Sequence, residues 1–275
     1  MNRIKVMING VPGKVASSIL LNAQKDSRFE VLPWSLTGPE IAETVYPIHG
    51  MNIHLLKPDR RAQVIDSIKK EHGMFISIDY THPSAIHENV DFYCSRDLPF
   101  VMGTTGGNRE QLHATVEKSR IPAVIAPNMI KQIVGFQAMV EYAAKTFPNL
   151  FKGYSLELHE SHQKGKADTS GTAKAMVRYF NELGIPFSNE EIIQERDPEV
   201  QKNRWGIPEE YLSGHAWHTY SLTSADQTVN FVFKHNVNGR EIYSEGTFDA
   251  VVFLSKKIKN GEHGRVFTMI DVLKG

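Results

Sequence analysis

The apolar run Ile4–Ile8 (IKVMI) passes at once into Asn9-Gly10-Val11-Pro12-Gly13-Lys14 and then into an amphipathic stretch, Lys14–Gln24, with Val15, Ala16, Ile19 and Leu20 on one face. Strand, glycine turn and helix in that order are how a parallel βαβ unit opens, and few topologies accommodate it. The alternation continues. Phe29–Leu36 reads as a second strand, and Val64, Ile65, Ile68 and His72 mark a helix that starts near Pro58–Arg60. Met74–Tyr80 reads as strand, Pro83–Cys94 as helix, Phe100–Thr104 as strand, Arg109–Ser119 as helix and Ala123–Ala126 as strand. Strands that are apolar almost throughout need cover on both faces, so a parallel sheet flanked by helices is expected.

The pattern changes after Asn128. A long helix is expected from about Met129 to Thr146, stopped by Pro148. Runs with a period of two follow at Tyr154–His159, Ala216–Thr223, Thr228–His235 and Arg240–Glu245, which suits a mixed or antiparallel sheet. The polar stretch 188–214 reads as loop with short helices, and Thr247–Lys259 as a helix with Ala250, Val251, Leu254 and Ile258 on one stripe. The expected class is α/β: a Rossmann-like doubly wound domain over 1–128, a second α+β domain over 129–246, and a C-terminal return, 247–275, to the first.

With 31 basic and 31 acidic residues the chain has no net charge to hold a nucleic-acid backbone or an anionic membrane. Cys94 is its one cysteine, so an internal disulfide is impossible, and the thiol reads as packing rather than as a nucleophile. No signal-like start and no bilayer-length apolar run are visible, so a cytoplasmic protein is expected.

In a dinucleotide-binding turn one glycine closes the turn, the next lets backbone N–H groups reach a pyrophosphate, and a small residue at the third position allows close helix packing. Gly10, Gly13 and Ala16 meet this pattern one glycine short, and a plain βα turn is the alternative. Gly10, Val11, Pro12, Gly13, Lys14 and Val15 are the candidate cofactor turn. The second strand ends in Trp34-Ser35-Leu36-Thr37-Gly38 without a carboxylate for the adenine ribose. Hydroxyls from Ser35 and Thr37, with Lys14 nearby, favour NADPH over NADH. Tyr80 and Thr81, Gly103, Thr104 and Thr105, and Pro127 and Asn128 end three further strands and form a candidate nicotinamide rim. Glycines and prolines that merely stop strands would look the same.

The densest chemistry lies in His159–Lys174, HESHQKGKADTSGTAK. Thr169 or Ser170 can cap a helix whose apolar face is Ala173, Met176, Val177, Phe180 and Leu183. Free N–H groups, hydroxyls and the positive end of a helix dipole then coincide at Ser170-Gly171-Thr172, which makes an anion site. Histidines and lysines just before it add charge and a titratable proton. A capped helix behind a solvated basic loop is the competing description. No His/Asp/Glu set shows a known metal-ligand spacing, so no metal is expected.

The segment E-S-H-Q-x-x-K-x-D-x-S-G-T-A resembles the signature of the dihydrodipicolinate reductases, and the glycine turn, Gly-Thr-Thr-Gly and Ala-Pro-Asn extend the resemblance over the whole chain. NMIKQIVGFQAMVEYAAKTFP and GHAWHTYSLTSADQTVNFVFKHNVNGR are similar to the plant-type branch. The resemblance implies hydride transfer from NAD(P)H to ring C4 of a cyclic conjugated imine dicarboxylate, in a homodimer or homotetramer. It implies His162 as proton donor, Lys166 at the ring nitrogen or a carboxylate, and Ser170, Gly171 and Thr172 around a carboxylate. Gln163 stands where the usual bacterial form has a second histidine, and can hydrogen-bond a substrate but bring no charge. The Asp168-Thr169-Ser170 loop is one residue shorter than the usual Asp-Ala-Pro-Ser. Arg240, expected at a turn between two strands, is a further candidate for a carboxylate or else an ordinary surface arginine. His159 and Lys164 read as bystanders, and His215, His218 and His235 as structural. Two other readings are another two-domain NAD(P)H oxidoreductase, which needs no His/Lys-preceded Ser-Gly-Thr loop, and a dinucleotide sensor without a proton donor.

Overall fold

The computed structural model describes residues 3–275; Met1 and Asn2, part of the start read as lacking a signal, lie outside the described residues. In chain order the elements begin β1 (Ile4–Asn9), α1 (Lys14–Lys25), β2 (Phe29–Val31), β3 (Trp34–Leu36), β4 (Val45–Ile48), β5 (Met51–Leu56) and α2 (Arg61–His72). They continue β6 (Ile76–Asp79), α3 (Ile86–Ser95), β7 (Phe100–Met102), α4 (Arg109–Glu117), β8 (Pro122–Ile125), α5 (Lys131–Thr146), β9 (Ser155–His162) and α6 (Gly171–Glu182). The last are β10 (Ile193–Glu195), α7 (Pro198–Asn203), β11 (His215–Thr223), β12 (Asn230–Asn238), α8 (Ile242–Lys259), β13 (Arg265–Phe267) and α9 (Met269–Lys274). They fall into two compact units, Met1–Lys131 with Glu241–Gly275, and Gln132–Arg240.

The first unit is built on a six-stranded sheet in the order β13-β8-β7-β6-β1-β2, every pair parallel. Met7, Phe100, Met102, Ala123 and Ile125 face one side and pack with Ile65, Ile68, Ile86, Val90, Leu112 and Val116 of α2, α3 and α4. Val6, Ile8, Val101 and Val124 alternate to the opposite side, where α1 and α8 lie. The phenyl rings of Phe29 and Phe248 meet there at 4.9 Å.

Phe29–Leu36 is not one strand. The N–H of Leu32 donates to Val6 O, the carbonyl of Pro33 accepts from His54, and β3 pairs with β5 in a separate three-stranded sheet. Proline has no N–H to continue the first ladder, and the chain changes sheet at that residue. The hairpin β4–β5 went unread in the sequence. Its turn, His49-Gly50, has φ of 42° and 77°, the double positive that a tight hairpin turn requires.

In the second unit β9, β11 and β12 are antiparallel neighbours, with β10 parallel on the far side of β9. Leu156, Leu158, Tyr220 and Leu222 of the sheet pack with Val140 and Ala144 of α5 and with Ala173, Met176, Val177 and Phe180 of α6. Two sequence expectations change here. β9 runs on to His162, because His159–Ser161 pair with β10 and Ser161 and His162 with β11. Arg240–Glu245 is not a strand: Glu241 is already helical, at φ −60° and ψ −35°, and α8 starts at Ile242. The expected seam at 246 therefore falls within a helix, and residues 242–246 belong to the first unit.

Helix α8 runs so close to the chain after β8 that a Cβ at Gly246 would lie 1.7 Å from the carbonyl oxygen of Met129. Gly246→Ala is expected to cost about 3 kcal/mol, the upper end for forced overpacking. A denaturant titration that finds it as stable as the parent would refute this close approach.

Candidate active site

The parallel strands of the first unit all end on one edge of their sheet. Gly10 follows β1, Tyr80 and Thr81 follow β6, Gly103, Thr104 and Thr105 follow β7, and Pro127 and Asn128 follow β8. Ligands of open α/β sheets bind at that edge. Gly10 has φ +102°, and a Cβ on it would stand 2.3 Å from Tyr80 O, so only glycine fits. A Cβ at Gly13 would stand 2.7 Å from Gly10 O. Gly13 opens α1 with no side-chain cap and no acid in the first turn, which leaves N–H groups free for an anion.

Beside this turn lies a cavity of about 870 Å³, lined among others by Gly10, Pro12, Gly13, Thr37, Tyr80 and Thr81. Val11 and Ser35, expected at the cofactor, are instead fully buried, and the Val11 N–H donates to Ser35 Oγ at 3.1 Å. They brace the turn from beneath. Lys14 and Val15 open α1 as its first two residues, Lys14 exposed and Val15 half-buried. Asn128 is occupied locally, its Oδ1 accepting from the Ile130 N–H at 2.9 Å.

Asp79 was not singled out in the sequence, yet it organises the strand ends. Its buried carboxylate accepts from the Tyr93 hydroxyl (2.6 Å), the Asn89 amide (3.1 Å) and the hydroxyls of Thr81 (2.8 Å) and Thr104 (2.7 Å). Burial and this anion push the Tyr93 hydroxyl pKa well up, so it stays a donor. The Tyr80 ring lies where a Cβ at Gly103 would be, 2.4 Å away, and its hydroxyl meets Thr247 Oγ1 at 2.6 Å.

The end of β3 is without a carboxylate, as expected, but the cavity is not. Glu40 lines the same cavity, its carboxylate folded against Gly38 where a Cβ would be 2.2 Å away. It sits in the loop after β3, beyond the strand end where such an acid is sought. Arg61 lines the cavity too, with its guanidinium held by Asn89 (2.8 Å) and Glu88 (2.5 Å) and laid 4.5 Å over the Phe92 ring.

In the second unit β9 positions the expected chemistry. Along its last turns Leu156, Leu158, Glu160 and His162 share one face by strand alternation, and all four are buried. His162 is 7% exposed, and its Nε2 has no hydrogen-bond partner among the described residues. Its Nε2 stands 3.9 Å from Glu160 Oε2, and its ring meets His218 edge-on at 5.2 Å. Burial first, then repulsion from His218, Arg196 and Lys166, hold its pKa down at about 3 against the pull of Glu160. The imidazole is therefore neutral at pH 7, not titrating in the working range as the sequence suggested.

Glu160 is fully buried, which on its own would raise its pKa. The nearby His218 imidazole at 3.7 Å, the Arg196 guanidinium, His162 and the Ser170 N–H at 3.0 Å bring it down to about 2 instead. Ser170 caps α6, its Oγ accepting from the Thr172 N–H, so Gly171 and Thr172 form the helix start that was expected. Lys166 Nζ rests on Asp168 at 2.6 Å, and a turn closes from the Lys166 N–H to Gln163 O. Gln163 is half-buried directly after His162. His159 faces away and contacts Glu157. His215 is structural as expected, bonded to Ser161 and to the Tyr211 carbonyl. Arg240 lies over Gly214 and donates to Ser213 O at 3.1 Å, which ties a loop to the end of β12 rather than leaving the side chain free.

Glu160, His162 and His218 bring one ligand atom each within 4.8 Å of one another, the one such group among the described residues. Sequence spacing concealed it, since His218 belongs to β11. The Arg196 guanidinium bound to the carboxylate balances its charge.

Histidines whose pKa is lowered by burial give the unit a defined acid sensitivity. His162 and His235 are both held at about 3, against 6.5 for a free imidazole, burial being the leading cause in each. The unfolded chain therefore binds protons that the folded chain does not, and stability present above about pH 6.5 is lost as pH falls toward 3. His235→Gln is expected to flatten the fall in unfolding free energy between pH 6.5 and 4.5. An unchanged slope would contradict the buried neutral imidazole.

The Dihydrodipicolinate reductase, N-terminus family matches residues 4–129, and Dihydrodipicolinate reductase, C-terminus matches 133–273. The chain is 45% identical over 269 residues to a probable 4-hydroxy-tetrahydrodipicolinate reductase 1, chloroplastic, of Oryza sativa subsp. japonica, covering 98% of this chain and 78% of that one. It is 45% identical over 273 residues to 4-hydroxy-tetrahydrodipicolinate reductase 2, chloroplastic, of Arabidopsis thaliana, covering 99% and 78%. In fold it resembles the dipicolinate-bound dihydrodipicolinate reductase from Paenisporosarcina sp. TG-14, with a TM-score of 0.66, 18% identity and coverage of 97% and 98%. The chain belongs to the dihydrodipicolinate reductase family.

Proposed function

We propose that the chain reduces 4-hydroxy-tetrahydrodipicolinate to tetrahydrodipicolinate in lysine biosynthesis, the 4-hydroxyl leaving as water to give the conjugated imine, which takes up one hydride and one proton, with NADPH as the preferred hydride donor. The observation that carries this reading is the ending of β9 at a buried His162, its Nε2 without a hydrogen-bond partner among the described residues, beside the Lys166 loop and the capped start of α6. A dianionic ring needs fixed positive partners and one proton donor, and these elements supply both.

The nicotinamide supplies the hydride. Gly10, Pro12 and Gly13, with the uncapped start of α1 and Lys14, would hold the pyrophosphate, while Tyr80, Thr81 and the Gly103-Thr104-Thr105 and Pro127-Asn128 strand ends would border the nicotinamide. Thr37 and Arg61 in the cavity lining, with Lys14 at the start of α1, support the 2′-phosphate form, and Glu40 in the same lining opposes it. Gly171, Thr172 and Lys166 receive the substrate carboxylates, with Gln163 as a neutral hydrogen-bonding neighbour. The arriving negative charge raises the proton affinity of His162, which takes up a proton on binding and passes it on as electron density builds on the ring.

No helix among the described residues is long and apolar enough to cross a membrane. The lone Cys94 accords with a reducing compartment, and we read the location as cytoplasmic, while the rice and Arabidopsis relatives are named chloroplastic. Met139 and Tyr142 on α5, with Phe231 and Val232 on β12, expose large apolar side chains and support a homodimer or homotetramer.

A coupled assay on freshly generated imine, run with NADPH and with NADH, tests the reading. His162→Gln and Lys166→Ala are each expected to lower turnover by roughly 10²–10⁴-fold, the usual size of a general acid–base loss. Near-parental turnover in both would refute the site, and clearly tighter use of NADH would refute the cofactor preference.

A further inference from the structure

The Lys166 loop has to hold its shape between two fixed points, the end of β9 and the start of α6. A single carboxylate reaches both sides of it. Glu160 Oε2 accepts the backbone N–H of Ser170 at 3.0 Å, at the far end of the loop. Glu160 Oε1 holds an Arg196 terminal nitrogen. The same guanidinium donates through Nε to the Lys166 carbonyl at 3.0 Å, in the middle of the loop, and through its other nitrogen to Glu195 O at 3.0 Å, at the end of β10. Glu160 is fully buried, and its Oε2 also stands 3.9 Å from His162 Nε2 and 3.7 Å from His218 Nε2. An uncompensated anion here would repel a dicarboxylate. Arg196 cancels its charge at the site while using its fork to fix the backbone.

We propose that Glu160 is a positioning residue for the reduction: through Arg196 and the Ser170 N–H it fixes the 163–170 loop so that Lys166 and the start of α6 meet the substrate carboxylates in register with His162. This rests on the site reading above. Glu160 touches neither substrate nor cofactor in this account. It acts on the three groups that do.

The test compares E160Q, the double variant E160Q/R196M, H162Q and K166A in the full chain, with kcat and KM for the imine, NADPH affinity and thermal stability measured on each. E160Q is expected to lower kcat/KM for the imine about 10²-fold, the scale of a misplacement near 1 Å, with NADPH affinity unchanged. E160Q leaves a guanidinium without its anion and loses stability; E160Q/R196M removes both charges and regains it. The double variant is nevertheless expected to remain about 10²-fold impaired, because the loop has lost its ties. If activity returns in step with stability, or if the double variant keeps parental kcat/KM, Glu160 is only structural and the proposal fails. Should E160Q not fold, the double variant decides alone. Parental activity in E160Q/R196M with H162Q and K166A crippled would overturn the role of Glu160 and leave the site reading standing. Parental activity in H162Q and K166A would overturn the site itself.

Discussion

A carboxylate with none of its surface in water must be compensated where it stands, and Glu160 is compensated on both oxygens. Arg196 takes one and the Ser170 N–H the other, each a charge-assisted bond. Stripping one partner from such a pair costs about 3–5 kcal/mol, so the loop, the helix start and the strand end are bound into one arrangement. The second unit's chemistry hangs on that arrangement. His162 is rigid because β9 carries it to its last paired residue, and it is neutral because burial, with His218, Arg196 and Lys166 close by, outweighs the pull of Glu160.

The first unit solves a different problem, that of keeping backbone uncovered at the turn between β1 and α1. Gly10 and Gly13 do this by having no side chain, since a Cβ on either would collide with a carbonyl oxygen. Asp79 then holds the neighbouring strand ends at a common level through four donors, two on α3 and one on each of the loops after β6 and β7. Val11 and Ser35 belong to this support rather than to the surface that faces the cavity.

Much of this could be read from the residues. The strand–turn–helix opening, the alternation that follows, the long helix α5 and the Ser170 cap are local features, written in periodicities and in capping chemistry. What escaped was mostly non-local. Arg196 lies 36 residues from Glu160, and no spacing rule connects them. His218 reaches the site only because β11 pairs with β9 in a register that sets it opposite Glu160. Glu160 was missed because the strand was read as ending at His159; only with β9 running on to His162 do the two side chains share a face. The break at Pro33 was legible, as a residue without an N–H inside an apparent strand. Glu40 was missed because it reaches the cavity from the loop rather than from the strand end.

His162 is neutral in the free protein, so to act as the proposed proton donor it has to gain its proton when a dicarboxylate arrives. Calorimetric titration of the full chain with pyridine-2,6-dicarboxylate at pH 7, in buffers of different ionisation enthalpy, measures this directly. Net uptake of about one proton is expected, and its loss in His162→Gln. Binding with no proton uptake would contradict it.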